Sequence, residues 1–384
     1  MAKLGDICTI VSGSTPKSNI PEYWDGDIKW ITPAELNEGT YIINDSVRHI
    51  TELGVAKTGL KPFPQGTVIL SSRAPIGKTA IAGCEMYCNQ GFKNLICSDK
   101  INPRYLYWFL TCNTEYLNSL GRGATFKEIS KEIVANIEIP LPAMEYQIAI
   151  AEKFEKISEL IALRKEQLAK LDRLVKSRFI ELFGNLVIGD KVDINKKKIG
   201  EIASVTKLAG FEFTKYIQYK EQGDIIMLRG LNCKKGRLVL DDIKWIDKET
   251  SDLLPRSKLY YGDILMTYAG TIGDVAMVDE DDKYHLAPNV AKITLNDKKA
   301  YIPIFLMHLF MYTNDYIMTF ASVVAQASIN MEKIRNFEYY FPPVELQNQF
   351  AAFVEQTDKS KMAIQQSLDK LELLKKSLMQ EYFG

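Results

Sequence analysis

The chain has 384 residues, with 48 Lys+Arg against 48 Asp+Glu. It is too long for one ordinary core and suits two domains of about 150–200 residues. A hydrophobic fraction of 46% and a charged fraction of 25% describe a folded chain, not a disordered one. The zero formal charge excludes a binder whose whole surface is basic, but not one with local basic patches.

The N-terminal stretch MAKLGDICTIVSG lacks the basic start and apolar run of a secretory signal. Five of the six cysteines (Cys8, Cys84, Cys88, Cys97, Cys112, Cys233) fall in the first 112 residues, which is no disulfide framework. The longest apolar stretch, YIPIFLMHLFMY at 301–312, is too short to span a bilayer and carries Pro303 and His308. These features point to a reducing, cytoplasmic compartment. Asn44-Asp45-Ser46 fits the glycosylation pattern, a triplet common by chance.

Taken in order, the front of the chain reads as α+β. Short β-rich runs such as Thr67–Leu70 and Thr79–Ala82 sit between Gly and Pro turn signals, and a helix is expected over Tyr105–Leu120. After Pro140 and Pro142 comes the clearest element. Apolar residues at Ile150, Phe154, Ile157, Ile161, Leu168, Leu171, Val175 and Leu182 step by alternating four and three, interrupted by Arg164 and Arg178. This is a heptad seam. No Gly or Pro occurs from Ala143 to Phe183, and Gly184 is a suitable stop. A helix of some 40 residues is about 60 Å long.

The chain then repeats this plan. A second β-rich front includes Ile264–Thr267, followed by an expected helix over Phe305–Phe320 and Pro342-Pro343. The second seam runs through Phe350, Val354, Thr357, Lys361, Ile364, Leu368, Leu371, Lys375, Leu378 and Tyr382. Residues 102–184 align with 302–384 without a gap, and 21 of the 83 pairs are identical. KLDRLVKSRFIELFG (170–184) answers KLELLKKSLMQEYFG (370–384). Upstream the match loosens: KLGDICTIV (3–11) answers KIGEIASVT (198–206), and GTVILSSRAPIGKTAI (66–81) answers GDILMTYAGTIGDVAM (262–277). Asn89-Gln90 with Lys93 roughly answers Pro288-Asn289 with Lys292. Divergent fronts and matching backs suggest two versions of one job joined to a shared one. The long helices either pack on their own domains or pair with each other. Polar seam positions in one often face apolar ones in the other copy, which favours pairing, and antiparallel pairing relates the two halves by a pseudo-two-fold axis.

Several chemical readings fail. Ser72-Arg-Ala-Pro-Ile-Gly77-Lys78-Thr79 looks like a phosphate-binding loop, but no helix pattern follows it, and the second copy has Asp274-Val275 for Lys-Thr. A Gly turn between strands accounts for both copies. Cys84 and Cys88 have no partner pair for zinc. His49, His285 and His308 are isolated, and no GxGxxG or amino-methylating Asn/Asp-Pro-Pro-aromatic motif occurs. The acidic run Asp279–Asp282 reads as a hairpin tip in water.

Two variable α+β units, each followed by a long near-repeated helix, resemble the specificity subunit of type I restriction–modification enzymes. LGDICTIVSGSTPKS with Trp24 and GDIKWITPAEL looks like the start of a target-recognition domain of that family, as does GTVILSSRAPIGKTAI followed by Asn89-Gln90-Gly91. IEIPLPAMEYQIAIAEKF and FPPVELQNQFAAFV look like its lead-in to the conserved helix. The second copy departs from the pattern, with Phe211–Lys215 in place of Gly13–Lys17 and Ala269 in place of Arg73.

The resemblance implies target-recognition domains at 1–144 and 185–344 and spacer helices at 145–184 and 345–384, paired as an antiparallel coiled coil. It implies a non-catalytic reader of a bipartite double-stranded DNA target, docked by two modification (methyltransferase) subunits and joined by restriction (translocase/nuclease) subunits. S-adenosylmethionine and ATP belong to those partners, and no metal is expected on this chain. Base reading calls for Arg, Lys, Asn, Gln, Ser or Thr on loops. The candidates in copy one are Thr15, Lys17, Lys29, Thr32, Ser72, Arg73, Lys78, Asn89, Gln90, Arg122 and Lys127. Those in copy two are Lys215, Arg229, Asn232, Lys234, Lys235, Tyr268, Thr271, Asn289, Gln326 and Asn330. The alternative for each is an ordinary surface polar residue. Half-sites on one duplex face lie about 34–36 Å apart. The competing readings are a tandem coiled-coil scaffold that never meets DNA and a single-chain enzyme with an unrecognised site.

Overall fold

The computed structural model describes residues 1–37, 39–123, 127–189, 196–322 and 327–384. They form two compact units. The first is Met1–Lys165 with Gln366–Gly384, and the second is Glu166–Gln365. Each unit thus takes part of both long helices.

In the first unit, Cys8–Val11, Asn94–Cys97, Val68–Leu70, Thr79–Ala82 and Ile42–Ile43 make a five-stranded sheet in that order. A three-stranded sheet orders Arg48–Ile50, Trp24–Ile31 and Tyr87–Cys88. Val68–Leu70 and Thr79–Ala82 are buried throughout and pair antiparallel, as apolar runs covered on both faces do. Gly77 turns between them at φ 94°, a conformation that suits glycine. The loop resembling a phosphate cradle is therefore a hairpin turn.

The second unit repeats this with Ala203–Lys207, Val290–Leu295, Ile264–Thr267 and Val275–Met277 in one sheet. Lys244–Ile246, Ile225–Leu228 and Tyr284–Leu286 form another, and a small hairpin pairs Cys233–Lys234 with Arg237–Leu238.

The helix expected over Tyr105–Leu120 is two helices, Pro103–Cys112 and Thr114–Ser119. Its copy is likewise Pro303–Tyr312 and Asn314–Met318. The breaks fall at Asn113 and Thr313, which leave helical geometry (φ −102°, ψ 24° and φ −115°, ψ 27°). Their side chains bond back to the carbonyls of Phe109 (2.9 Å) and Leu309 (2.7 Å). Such back-bonding competes with the regular ladder, and an apolar pattern does not reveal it.

The long helices are Met144–Phe183 and Val344–Phe383, 40 residues each. Their starts share one device. Gln147, almost wholly buried, accepts from the Asn102 amide (2.9 Å) and donates to the carbonyls of Pro142 (2.9 Å) and Lys100 (3.1 Å). Gln347 accepts from the Ile302 amide (3.0 Å) and donates to the Pro342 carbonyl (2.8 Å). Gly184, at φ 62°, stops the first helix.

Within each unit the long helices pair antiparallel. In the first, Lys153 meets Tyr382 (2.9 Å) and Arg164 meets Ser367 (3.2 Å), so partner numbers fall as helix numbers rise. In the second, Asp172 meets Lys361 (2.7 Å) and Phe183 meets Phe350 (5.7 Å between rings). The helices also dock on the sheet domains, so both expected packings occur together. Phe154 stacks on Trp108 of its own front and on Phe383 of the second helix. Phe383 in turn meets Tyr105 and Phe109. Phe179 and Phe183 do the same in the second unit, against Phe305 and Phe350.

Of the expected seam residues, Phe154, Ile157, Val175, Phe350, Val354 and Leu368 are buried. Ile150, Ile161, Leu168, Leu171, Leu182, Ile364, Leu371 and Leu378 are half-buried. Ala151, Phe179, Phe183, Ala351 and Phe383, outside the expected seam, are buried as well.

Candidate nucleic-acid interface

In the first unit the strand ends converge on one cluster of loops. The segment after Val11 lies flat on the strand at Tyr87–Cys88. A Cβ at Gly13 would sit 1.8 Å from the Cys88 carbonyl oxygen, so only glycine fits. The Ser14 amide then bonds that carbonyl (3.0 Å), and Trp30 Nε1 bonds the Ser14 carbonyl (3.0 Å). This brings Thr15 to Gln90, whose side chains share a 2.6 Å hydrogen bond. Thr32 starts a short turn, its amide and hydroxyl bonded to Glu35 (2.7 and 3.0 Å). Lys78 Nζ reaches the Pro33 carbonyl (3.2 Å), and Asn89 Oδ1 accepts from the Gly91 amide (2.8 Å).

The hairpin turn joins the same cluster. Ser71 Oγ ties it, donating to the Pro75 carbonyl (2.7 Å) and accepting from the Lys78 amide (2.9 Å). The Ser72 amide bonds the Gly91 carbonyl (2.7 Å) and the Ile129 amide bonds the Ser72 carbonyl (3.0 Å). Arg122 and Glu128 exchange backbone bonds of 3.0 and 2.9 Å. Glu128 accepts from Lys93 Nζ at 3.0 Å and lies 3.8 Å from Arg73 Nη1. Beneath, burial pushes the Cys88 thiol up to about 12, so it stays protonated.

Thr15, Thr32, Arg73, Lys78, Asn89, Gln90 and Arg122 therefore come together. Lys17 and Lys127 are exposed on segments next to them. Ser72 lies in the same frame but is buried. Lys29 points elsewhere, to the Asn44 carbonyl (2.8 Å) and Cys84 Sγ (3.4 Å).

The second unit builds the same frame. The Tyr268 amide bonds the Asn289 carbonyl (3.0 Å), the Ile329 amide bonds the Tyr268 carbonyl (2.9 Å), and Ser322 and Ser328 exchange backbone bonds (3.0 and 3.2 Å). Thr267 Oγ1 ties the turn, donating to the Thr271 carbonyl and accepting from the Asp274 amide. Tyr268, Thr271, Asn289 and Asn330 lie here; Asn330 Oδ1 caps a short helix through the Lys333 amide (2.8 Å). Gln326 lies outside the described residues.

The remaining candidates go elsewhere. Asn232 is fully buried and donates to the carbonyls of Val239 and Asp242 (2.8 and 2.9 Å) while accepting from the Arg229 amide. It clamps a loop from inside. Arg229 is engaged with Asp242 (2.7 Å). Lys234 and Lys235 are exposed on the small hairpin, whose Arg237 lies 3.9 and 3.6 Å from Asp172 and Asp358 on the long helices. Lys215 sits over the ring of Tyr216.

Pairing registers sharpen the internal comparison. Val68 pairs with Leu95, and Ile264 pairs with Ile293. Ser71 bridges Phe92, and Thr267 pairs with Val290. Lys93 therefore answers Ala291, and it is Asn94 that answers Lys292. Lys292 donates to the Lys258 carbonyl (2.9 Å), and burial holds its pKa below the usual lysine value.

A model of the type I restriction modification DNA specificity domain matches residues 1–173 and 191–373, nearly the whole chain. The chain belongs to this family. Over 246 residues it is 37% identical to the specificity subunit of the MjaIX type I restriction enzyme of Methanocaldococcus jannaschii, covering 63% of this chain and 55% of that one. The Escherichia coli EcoBI specificity subunit is 26% identical over 357 residues, covering 84% of this chain and 75% of that subunit. The match thus spans about half the length of the first relative and three quarters of the second. A crystal structure of the type I system S subunit from M. genitalium shares the fold at a TM-score of 0.57 and 14% identity, covering 100% of this chain and 95% of that one. A chain from a structure of type I complex assembly matches at 0.62 and 17%, covering 100% and 96%.

Membership in a DNA specificity family leaves the scaffold reading without support. Among the described residues no group of three or more His, Cys, Asp or Glu is placed to hold a metal ion, and no helix is long and apolar enough to cross a membrane. Nothing in the sequence marks Glu128, and Lys93 stands out there only as a repeat match. Neither is adjacent to Arg73 in the chain, and only the fold brings the three together.

Proposed function

We propose that this chain is the DNA-reading subunit of a type I restriction–modification system and performs no catalysis itself. Each unit presents its loop frame to the major groove and reads one half of a bipartite target. The observation that carries this is the doubled frame. The backbone bonds around Ser72, Gly91, Arg122 and Glu128 recur around Tyr268, Asn289, Ser322 and Ser328, while the side chains differ. One scaffold bearing two side-chain sets is what reading two different half-sites requires. Phosphate contacts by lysines position the units, and a few base-edge contacts specify the sequence. The long helices serve as spacer and as the dock for two modification subunits, with restriction subunits joining that core. S-adenosylmethionine and ATP bind those partners.

Long-read methylation mapping of a host with and without this gene tests the proposal. One bipartite motif that appears only with the gene is expected. An unchanged methylome, with a working modification subunit present, overturns it.

A further inference from the structure

We infer that Glu128, anchored from below by Lys93, is a positioning residue that aims the Arg73 guanidinium at one guanine of the half-site read by the first unit. This rests on the DNA-reading proposal above.

The three side chains differ in depth. That of Lys93 is 9% exposed, those of Arg73 and Glu128 35% and 39%. Lys93 rises through the frame to give Glu128 a 3.0 Å charge-assisted bond, and also lies 3.3 Å from Ser72 Oγ. It neutralises a carboxylate that would otherwise repel phosphates on a DNA-facing surface. The carboxylate's other oxygen lies 3.8 Å from Arg73 Nη1. That distance is an ion pair, not a hydrogen bond. Among the described residues the guanidinium donates no hydrogen bond, so its fork keeps the two parallel donors that match guanine O6 and N7. Its backbone is fixed by the bridge from Arg73 to Glu128 and by the bonds of Ser72 to Gly91 and Ile129. A held guanidinium on a fixed backbone loses little freedom on binding, which is what a base reader needs.

The second unit separates this role from a structural one. At the corresponding positions Arg73, Lys93 and Glu128 become Ala269, Ala291 and Ser328, all three at once. Ala269 still bridges Ser328, and the backbone bonds of the frame keep 2.9–3.2 Å lengths. The frame therefore stands without the ionic trio. Small neutral residues in its place mean that the second unit reads its half-site with other groups.

The test uses the full chain assembled with its modification subunit, with binding measured against duplexes carrying every substitution across both half-sites. Arg73→Ala and Arg73→Lys are each expected to lose roughly 5–100-fold discrimination at one G·C pair of one half-site, since lysine cannot supply the fork. Glu128→Gln, which keeps the shape, is expected to relax the same pair by a smaller factor. Discrimination at the other half-site stays unchanged. Arg73→Ala lowering affinity equally for all sequences would make it a phosphate contact and overturn the inference. So would Glu128→Gln leaving that base pair fully discriminated. A wild-type complex with no bipartite preference is a different result, because it removes the DNA-reading proposal itself.

Discussion

At the residue scale, buried polar groups hold this molecule in shape, and two make measurable predictions. Gln147 satisfies one amide and two carbonyls where the first long helix leaves its domain. Gln147→Leu keeps the volume but orphans those groups. A loss of about 1–3 kcal/mol is expected, read as a lower urea midpoint with an unchanged slope. His308 is the second case. It lies 6% exposed between Tyr312 and Phe350, with Asp358 and Lys361 nearby. Burial pulls its pKa from 6.5 down to about 4. The unfolded chain therefore takes up a proton near pH 6.5 that the folded chain refuses until about pH 4. Full stability is present above pH 6.5 and falls as the pH drops through this window, by about 3 kcal/mol at most. His308→Leu should flatten most of that slope in urea titrations at pH 7.5 and 5. The buried His285 is shifted the same way and adds to that slope. Residue type alone misleads here. Asn232 reads as a candidate base contact in the sequence, yet it lies in the interior because its amide matches two loop carbonyls.

At the element scale, the long helices are legible and their docking is not. A heptad stripe and a lack of Gly and Pro announce each helix. A stripe says only that something apolar covers it. Phe179, Phe183 and Phe383 lie off the expected seam because they serve the sheet domains as well as the partner helix. Phe383, 7% exposed, packs against Tyr105, Phe109 and Phe154. The last turn of the chain thus belongs to the core of the first unit. Phe383→Ala should cost about 3–5 kcal/mol. Hydrogen exchange should then speed up in Pro103–Cys112 and stay slow in Pro303–Tyr312. Equal acceleration in both helices would mean that the two cores do not open separately.

At the scale of the whole molecule, the zero net charge takes on a specific meaning. Residues 145–184 carry 8 basic and 7 acidic side chains, and several neutralise one another along the helix, as Lys170 does with Glu166 (2.8 Å) and Lys156 with Glu159 (2.9 Å). Such exposed pairs add little stability, and their charge is largely cancelled for a passing phosphate. The loop frames differ. Lys17 and Lys127 stand exposed beside the candidate interface, and no ion pair engages either among the described residues. A chain neutral in bulk can still release counterions where such lysines neutralise phosphates, as the proposed DNA reading requires. Each lysine that neutralises one phosphate adds about 0.9 to the slope of log affinity against log salt. Lys17→Ala in the assembled complex should reduce that slope by about 0.9 and weaken all sequences alike, without altering the preferred motif. Lys170→Ala, on the helix, should leave the slope where it was. If both variants change it equally, the helices rather than the loops carry the phosphate contacts.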